Sequence, residues 1–264
     1  MTPIVDNLDV LVPFAVAALA AAIVVWFVRA QLQMRAVTET LIDAEEALDR
    51  GEVERARELA APLLARYPTV PVVQDVAADV LYATGDPLSA ASLYERAMKK
   101  LGGPRVAPKL VAAYAALNRA GDARRVAALA PDDPMTRLAL AWSELAAVGG
   151  DRAKGRALAD DLALDAELRS TPAGDAMASV LEAIASATAG DAARARAALD
   201  RASVKRAELA PHDRAFIGYL GGIALLQLGA VSDARATWTL AVDAAPETIG
   251  SALARRERSH LPAE

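Results

Sequence analysis

The sequence has no cysteine and only two histidines among its 264 residues. The lack of cysteine excludes disulfides, thiolate nucleophiles, iron–sulfur clusters and thiolate zinc sites. The two histidines, His212 and His260, leave little material for a histidine metal site or a conventional catalytic triad. The composition therefore argues against an enzyme, and we expect no catalytic residues, no metal and no cofactor.

The chain also lacks an excess of basic residues and has few aromatic ones. It carries 29 Lys+Arg against 34 Asp+Glu, a net charge of -5, and aromatic residues make up 4%. A protein that binds the phosphate backbone needs clustered positive charge, so we expect no nucleic-acid partner. Alanine, the strongest helix former, makes up roughly a quarter of the residues. Strand-like alternation is almost absent, so the sequence predicts an all-helical protein.

The most apolar segment, residues 10–28, follows a short N-terminal tail at 1–9 and contains no charged side chain. A helix of this length spans about 28 Å, which is close to the hydrocarbon thickness of a bilayer. A cleaved signal peptide or a buried core helix are alternatives, but the tail lacks basic residues and the segment lacks a polar face. We therefore predict a single transmembrane helix. The residues that anchor it are Pro13, Phe14, Trp26, Phe27 and Arg29.

The charges that flank this segment predict its orientation. Asp6 and Asp9 precede it, whereas Arg29 and Arg35 follow it. Because Lys and Arg near a span favour the cytoplasmic side, we expect a plasma (inner) membrane protein with its N-terminus outside and residues 29–264 in the cytoplasm. The alternative is the opposite topology, with the C-terminal part in the periplasm.

The remainder of the chain contains a helical pattern that repeats. Gly51 opens a turn and an amphipathic helix that ends at Pro68, and the same pattern returns at Gly85, 34 residues later. In the last copy, Gly222 takes a small position of the first helix and Trp238 a position of the second. A period of 34 with two helices per unit resembles the tetratricopeptide repeat (TPR) family, in a membrane-anchored form of bacterial type.

The resemblance implies an α-solenoid of about six helical hairpins with a C-terminal capping helix. A turn at Gly121 is expected to open the second helix of the third hairpin, which the prolines of residues 131–134 cut short. The predicted units lie near residues 37–70, 71–104, 107–133, 135–170, 174–207 and 215–246, with the cap at 247–258.

Partners of TPR proteins usually bind in the concave groove lined by the first helices, so the resemblance also implies a partner-binding site. An open apolar groove is costly without a partner or a covering element, and the capping helix is the alternative occupant of its last segment. The implied partner-binding residues are Val72, Asp75, Asp79, Tyr82, Asn118, Arg119, Phe216, Tyr219, Ile223 and Leu226.

Taken together, these patterns predict a non-enzymatic scaffold or adaptor that is anchored in the membrane and binds partner proteins through its concave groove. The alternative is a periplasm-facing TPR chaperone or assembly factor for exported or envelope proteins. Self-association, in which an end repeat docks onto a neighbouring groove, is a further hypothesis.

Overall fold

A computed structural model describes residues 8–261, and within this range the side chains of residues 8–18, 20, 21, 30 and 206 lie outside the described set. The described residues form α-helices and short 3-10 turns without a strand, which confirms the all-helical prediction. The helices are α1 (Leu8–Asp49), α2 (Val53–Arg66), α3 (Pro71–Ala83), α4 (Pro87–Leu101), α5 (Gly103–Ala116), α6 (Ala120–Ala127), α7 (Pro134–Ala146), α8 (Arg152–Ala163), α9 (Pro172–Thr188), α10 (Ala192–Lys205), α11 (Pro211–Gln227), α12 (Val231–Ala244) and α13 (Ile249–Ser259).

Helix α1 runs without interruption for 42 residues, from the predicted membrane segment into the first repeat. Among the side chains of α1 that the structure describes, Val37 is the first one buried in the core. Among the residues that are described, no helix has both the length and the apolar character that a membrane crossing needs. Most of the predicted tail at 1–9 lies outside the described residues, and so do the side chains of Pro13 and Phe14 in the predicted span.

Successive helices pair as antiparallel hairpins, an arrangement consistent with the predicted α-solenoid. The first two hairpins turn at Gly51 and Gly85, whose φ angles are 75° and 85°. At Gly51 the backbone N–H bonds to the carbonyl of Leu48, and the N–H of Glu52 bonds to that of Ala47. This is the glycine-terminated helix end that a left-handed residue permits. A local glycine signal therefore defines each of these turns.

The third hairpin turns at Asn118, and the prediction of a turn at Gly121 is wrong. Asn118 has φ 59°. Its N–H bonds to the carbonyl of Ala115, and the N–H of Arg119 bonds to that of Tyr114, as in the glycine turns. Gly121 instead lies inside α6. Asparagine tolerates the left-handed conformation better than most residues, so it can replace glycine at this position.

Small residues allow the two helices of a hairpin to pack closely. Gly222 of α11 faces the indole of Trp238 in α12, and a Cβ at Gly222 would collide with that ring. The indole Nε1 of Trp238 donates to the carbonyl of Tyr219 at 2.9 Å. Trp238 is fully buried in the largest core cluster. The small residue and the large one are thus matched across the hairpin, as the pattern of the last repeat predicts.

The stack curls so far that its last helices contact its first turns. Helix α13 packs against both α11 and α12. An ideal Cβ on Gly85, in the turn between α3 and α4, would lie 3.0 Å from the Cβ of Ala252 in α13. Arg256 of α13 donates from Nη1 to the carbonyl of Ala116, at the end of α5, at 2.8 Å. These contacts bring the C-terminal helix against the ends of α3 and α5.

Candidate partner-binding site

The predicted groove residues of α3 bind groups of the same chain. The Asp75 side chain is completely buried, and its carboxylate accepts from Arg105 Nε at 3.2 Å and from Lys109 Nζ at 3.1 Å. Lys109 Nζ also lies 2.6 Å from Asp79 Oδ2, and the Tyr94 hydroxyl donates to Asp79 Oδ1 at 2.6 Å. This carboxylate network, formed by Asp75, Asp79, Lys109, Arg105 and Tyr94, ties α3 to α4 and α5.

The pKa shifts in the carboxylate network follow from burial and from these pairs. Burial raises the pKa of Asp79 above its usual range, and the nearby Lys109 only partly opposes this effect. Burial would lower the pKa of Lys109, but the carboxylates of Asp79 and Asp75 outweigh it and raise that pKa above 10.5. Burial and the Asp79 carboxylate raise the pKa of the Tyr94 phenol. Lys109 therefore holds its proton and pairs with two carboxylates, of which Asp75 is completely buried and Asp79 is partly buried.

The predicted groove residues at the end of α5 have local roles. Asn118 forms the left-handed turn between α5 and α6. Arg119 Nε donates to Asp122 Oδ2 at 2.7 Å, and its guanidinium lies 4.7 Å from the ring centre of Tyr114. Both Asn118 and Arg119 are exposed. They are accessible to a partner, but Asn118 also forms the turn and Arg119 also contacts Asp122 and Tyr114 of the same chain.

The aromatic groove residues of α11 pack against α7. The Trp142 ring meets Phe216 edge-on, with ring centroids 5.0 Å apart, and Tyr219 at 6.3 Å. Tyr219 is 3% exposed, and burial raises the pKa of its hydroxyl. Edge-to-face packing stabilises such a cluster by about 0.5–1.5 kcal/mol per pair beyond the buried area. The α11 aromatics thus belong to the core, whereas Ile223 is half-buried and Leu226 is exposed on the same helix.

Helix α13 covers the start of α11, in agreement with the alternative in which the capping helix occupies the last groove segment. A Cβ on Gly250 would collide with the backbone of Ala215 and Phe216. A cavity of about 260 Å³ remains where the turns meet α11 and α13, and Tyr82, His212 and Phe216 are among its lining residues. Val72 is half-buried at the N-terminal end of α3. Partner binding in the concave groove remains a prediction, with much of the groove filled by the chain itself.

The sequence interpretation missed Lys109 and Arg105 as partners of the acidic groove residues. Asp75 and Lys109 are 34 residues apart, which is the repeat period. Equivalent positions of consecutive first helices lie side by side in a stack, so opposite charges at that spacing form a pair. This spacing is the signal that could have identified the carboxylate network. No comparable signal connects Arg256 with Ala116, which are 140 residues apart.

A second depression lies in the outer layer of the stack, between α10 and α12 and above α11. Its volume is about 390 Å³. We call it the outer groove, and it arises because α10 makes little contact with α11, whereas α4 packs broadly on α5 and α8 on α9. The residues that form it include Arg196, Leu199, Asp200, Ala202, Ser203, Ile217, Gly218, Gly221, Leu225, Asp233 and Thr237.

The described part of the chain contains no group of three or more His, Asp or Glu side chains that could hold a metal ion. His212 lies in the first turn of α11, with Nε2 3.5 Å from Asp213 Oδ1.

The arrangement of the helices defines a class of protein, an all-helical stack of hairpins whose last helices contact its first turns. No protein-family model matches the sequence, and no curated protein is significantly similar to it.

Proposed function

We propose that the chain is a non-enzymatic, membrane-anchored adaptor of the TPR type that binds partner proteins at the membrane surface. The observation that carries this proposal is the N-terminal part of α1. Residues 22–29 are all exposed, and they include Trp26 at 70% and Phe27 at 56% exposure. The seven of these residues that precede Arg29 are apolar and cover every face of a helix, so residues 22–28 are apolar all round and bury none of their faces against the chain.

Such a surface is stable when a lipid phase covers it. Apolar area exposed to water costs about 25 cal/mol per Å², and a large continuous patch marks a membrane or protein contact. The hydrophobic segment reaches Val28, and among the described side chains burial begins at Val37. The nine residue steps from Val28 to Val37 correspond to about 13 Å of helix, long enough to hold the repeats above a membrane surface. Arg29 and Arg35 in this stalk favour a cytoplasmic location for the repeats.

The TPR assignment is supported by repeat spacing and by packing. The turn glycines Gly51 and Gly85 are 34 residues apart, and Ala56 and Ala90 at equivalent positions of α2 and α4 are fully buried. A stack of such hairpins offers extended surfaces rather than a reaction centre, which suits an adaptor.

Membrane sedimentation tests the anchor. We expect the full-length protein to stay with membranes after an alkaline carbonate wash, and we expect the pair Val24→Lys and Phe27→Lys to release it, because charge in the hydrocarbon layer is costly. The pair Gln31→Lys and Gln33→Lys, in the stalk, is the matched control and should remain bound. Release of the unaltered protein would refute the proposal.

Topology is tested with reporters fused to the C-terminus. A fluorophore that matures only in the cytoplasm should be active, and an enzyme that works only outside it should not. The opposite result would overturn the orientation and favour a chaperone or assembly factor for exported proteins.

A further inference from the structure

The first two loops between hairpins lie at the end of the stack from which α1 leaves. Val37 of α1 belongs to a core cluster against which Tyr67 and Val70 of the α2–α3 loop pack. Helix α4 pairs with α3 as an antiparallel hairpin, so it ends beside the start of α3. Arg105, near the start of α5, reaches Asp75 near the start of α3. The α2–α3 and α4–α5 loops therefore share one edge of the stack, level with Val37.

Four cations, which we call the basic edge, flank these two loops. They are Arg66 in the last turn of α2, Lys99 and Lys100 in the last turn of α4, and Arg105 in α5, and all four are exposed. Within the described part of the chain, Lys99 and Lys100 contact no carboxylate, and Arg66 contacts only the ring of Tyr67. Arg105 binds a buried carboxylate but keeps 51% of its side chain exposed.

The positive charge is a property of this part of the stack. Residues 96–121 contain six Lys or Arg and no Asp or Glu, in a chain whose net charge is -5. The next loops between hairpins differ, because the α6–α7 loop carries Asp132 and Asp133 without a cation and the α8–α9 loop carries two carboxylates and one cation. The helix dipole favours a cation in the last turn of any helix, yet α8 and α12 have none there. Helix ends alone therefore do not explain the basic edge.

The cations at the opposite edge of the first hairpin, where α1 turns into α2, have partners within the chain. Arg50 pairs with Glu46 and Glu52, and Arg57 pairs with Glu54. Such exposed pairs add little stability, but they leave little net positive charge at that edge. The basic edge, by contrast, presents cations whose counter-charge must come from outside the chain.

The distance along α1 brings the basic edge within electrostatic reach of the proposed membrane. Val37 lies nine residue steps, or about 13 Å of helix, beyond Val28. The headgroup layer extends about 6 Å beyond the hydrocarbon on each side of a bilayer. The remaining gap of about 7 Å is no longer than the Debye length of about 8 Å at physiological ionic strength. Arg29 and Arg35 lie in the stalk between the two and add to the positive charge.

We propose that the basic edge binds anionic lipid headgroups and holds the first hairpins down on the membrane surface. Four to eight Lys or Arg beside a transmembrane segment are attracted to anionic lipids, and the basic edge and the stalk together supply six. Lysine and arginine both bind phosphate groups, lysine as a point charge and arginine through paired hydrogen bonds. This inference rests on the proposed membrane anchor, to which it adds a second contact and a class of lipid.

The test uses the full-length chain in nanodiscs of phosphatidylcholine, with or without phosphatidylglycerol, each containing the same fraction of a lipid with an acceptor fluorophore on its headgroup. Because the chain has no cysteine, Thr69→Cys, exposed in the α2–α3 loop, accepts a single donor fluorophore. Leu88→Cys, 65% exposed at the start of α4 and at the opposite edge, is the second labelling position. We expect more energy transfer from position 69 in the anionic nanodiscs, and loss of this increase at high salt. Transfer from position 88 should be lower than from position 69 in both lipids.

Charge-reversal variants then locate the contact. Lys99→Glu combined with Lys100→Glu should reduce the lipid-dependent increase at position 69 at least about twofold, because it reverses two of the six charges. The matched control is Arg152→Glu combined with Lys154→Glu, which changes the net charge equally at two exposed cations of α8 that have no partner in the described part of the chain. The control should leave the increase unchanged. Circular dichroism confirms the fold of each variant, and Lys99→Gln with Lys100→Gln is the milder pair if the first does not fold.

Three results would overturn the lipid contact. These are equal transfer from position 69 in neutral and anionic nanodiscs, an increase that the folded Lys99 and Lys100 variants retain, or an equal loss in the α8 control. Greater transfer from position 88 than from position 69 would place the opposite edge at the lipid and would also contradict it. Failure of the unaltered protein to enter nanodiscs of either composition would refute the anchor and this inference together, whereas incorporation with equal transfer would refute the lipid contact alone.

Discussion

At the scale of single residues, the buried carboxylates of α3 depend on one lysine. Asp75 is completely buried, and Lys109 contacts both Asp75 and Asp79. Desolvation of a charged pair is costly, so such a network stabilises the fold only while its partners remain charged and in place. Arg105 also contacts Asp75, but its side chain is 51% exposed and contributes less. Lys109 therefore makes the main polar contact between the second and third hairpins.

Replacement of Lys109 tests this dependence. We expect Lys109→Met to lower the free energy of unfolding by about 3 kcal/mol, because it leaves one completely buried and one partly buried carboxylate with incomplete partners. We also expect a change in pH dependence. The folded-state pKa of Lys109 is raised, so its contribution to stability is complete below pH 10.5 and is lost as the pH rises through the folded value. Urea unfolding of the full-length protein at neutral and alkaline pH measures both effects.

Arg105→Met is the control, because it removes a cation that is half exposed from the same carboxylate. Arg105→Met should lower the free energy of unfolding by less than Lys109→Met does. It should also leave most of the loss of stability at alkaline pH unchanged. Buried tyrosines such as Tyr94 add to the alkaline loss in both variants, since their pKa values are also raised. A loss below about 0.5 kcal/mol in Lys109→Met, within the range of ordinary surface substitutions, would contradict this account.

At the scale of elements, α13 is more than a polar cover for the end of the stack. It packs against α11 and α12 and contributes Leu253 and Ala254 to the largest core cluster. Its close approach to α11 depends on Gly250, whose missing side chain leaves room for the backbone at Phe216. The resemblance to TPR proteins implies a capping helix at residues 247–258, and Gly250 allows this helix to pack directly against α11.

Substitution at Gly250 tests this contact. We expect Gly250→Leu to displace α13 and to destabilise the protein by about 1–3 kcal/mol, the usual cost of excess volume in a packed interface. Limited proteolysis should then cleave near residues 247–259 before other sites.

The matched control is Gly121→Ala, because a Cβ at Gly121 meets nothing within 4 Å. It should be neutral or stabilising by about 0.4–1 kcal/mol, since alanine loses less backbone entropy on folding. Equal stability and equal protease resistance of Gly250→Leu and the unaltered protein would refute the packing described for α13.

At the scale of the whole molecule, closure of the stack determines which surfaces remain open. Contacts of α11 and α13 with the first turns fill much of the concave face, and Trp142, Phe216 and Tyr219 form a continuous aromatic core there. The outer groove remains open because α10 and α11 separate in the same stack. A partner thus meets a protein whose inner surface is largely occupied by its own C-terminal helices.

A crosslink tests the closure. The pair Gly85→Cys and Ala252→Cys should form a disulfide under mild oxidation, because an ideal Cβ at position 85 lies 3.0 Å from the Cβ of Ala252, close to the range of about 3.5–4.5 Å in disulfides. Electrophoresis without reductant detects the closed loop.

The control pair is Gly102→Cys with Ala252→Cys. Gly102 also has a positive φ, of 90°, so it matches the backbone strain at Gly85, but nothing lies within 4 Å of its Cβ position. This pair should remain reduced within the monomer. Failure of the first pair to crosslink in a folded protein, or equal crosslinking of both pairs, would indicate an open stack.

The sequence by itself determined the helical class, the turns at Gly51 and Gly85 and the match between Gly222 and Trp238. These features depend on interactions between near neighbours, on the 3.6-residue period and on the left-handed conformation of glycine, all of which local sequence encodes. The turn at Asn118 escaped prediction because asparagine takes this conformation less regularly than glycine does.

Only the tertiary structure decided the curvature of the stack and the accessibility of the candidate site. Each hairpin adds a small rotation to the previous one, and the sum over six hairpins brings Arg256 to Ala116 and α13 to Gly85. No local pattern encodes such a sum. The resemblance to TPR proteins implied an open groove with Asp75 and Tyr219 available to a partner, whereas accumulated rotation and packing buried both residues.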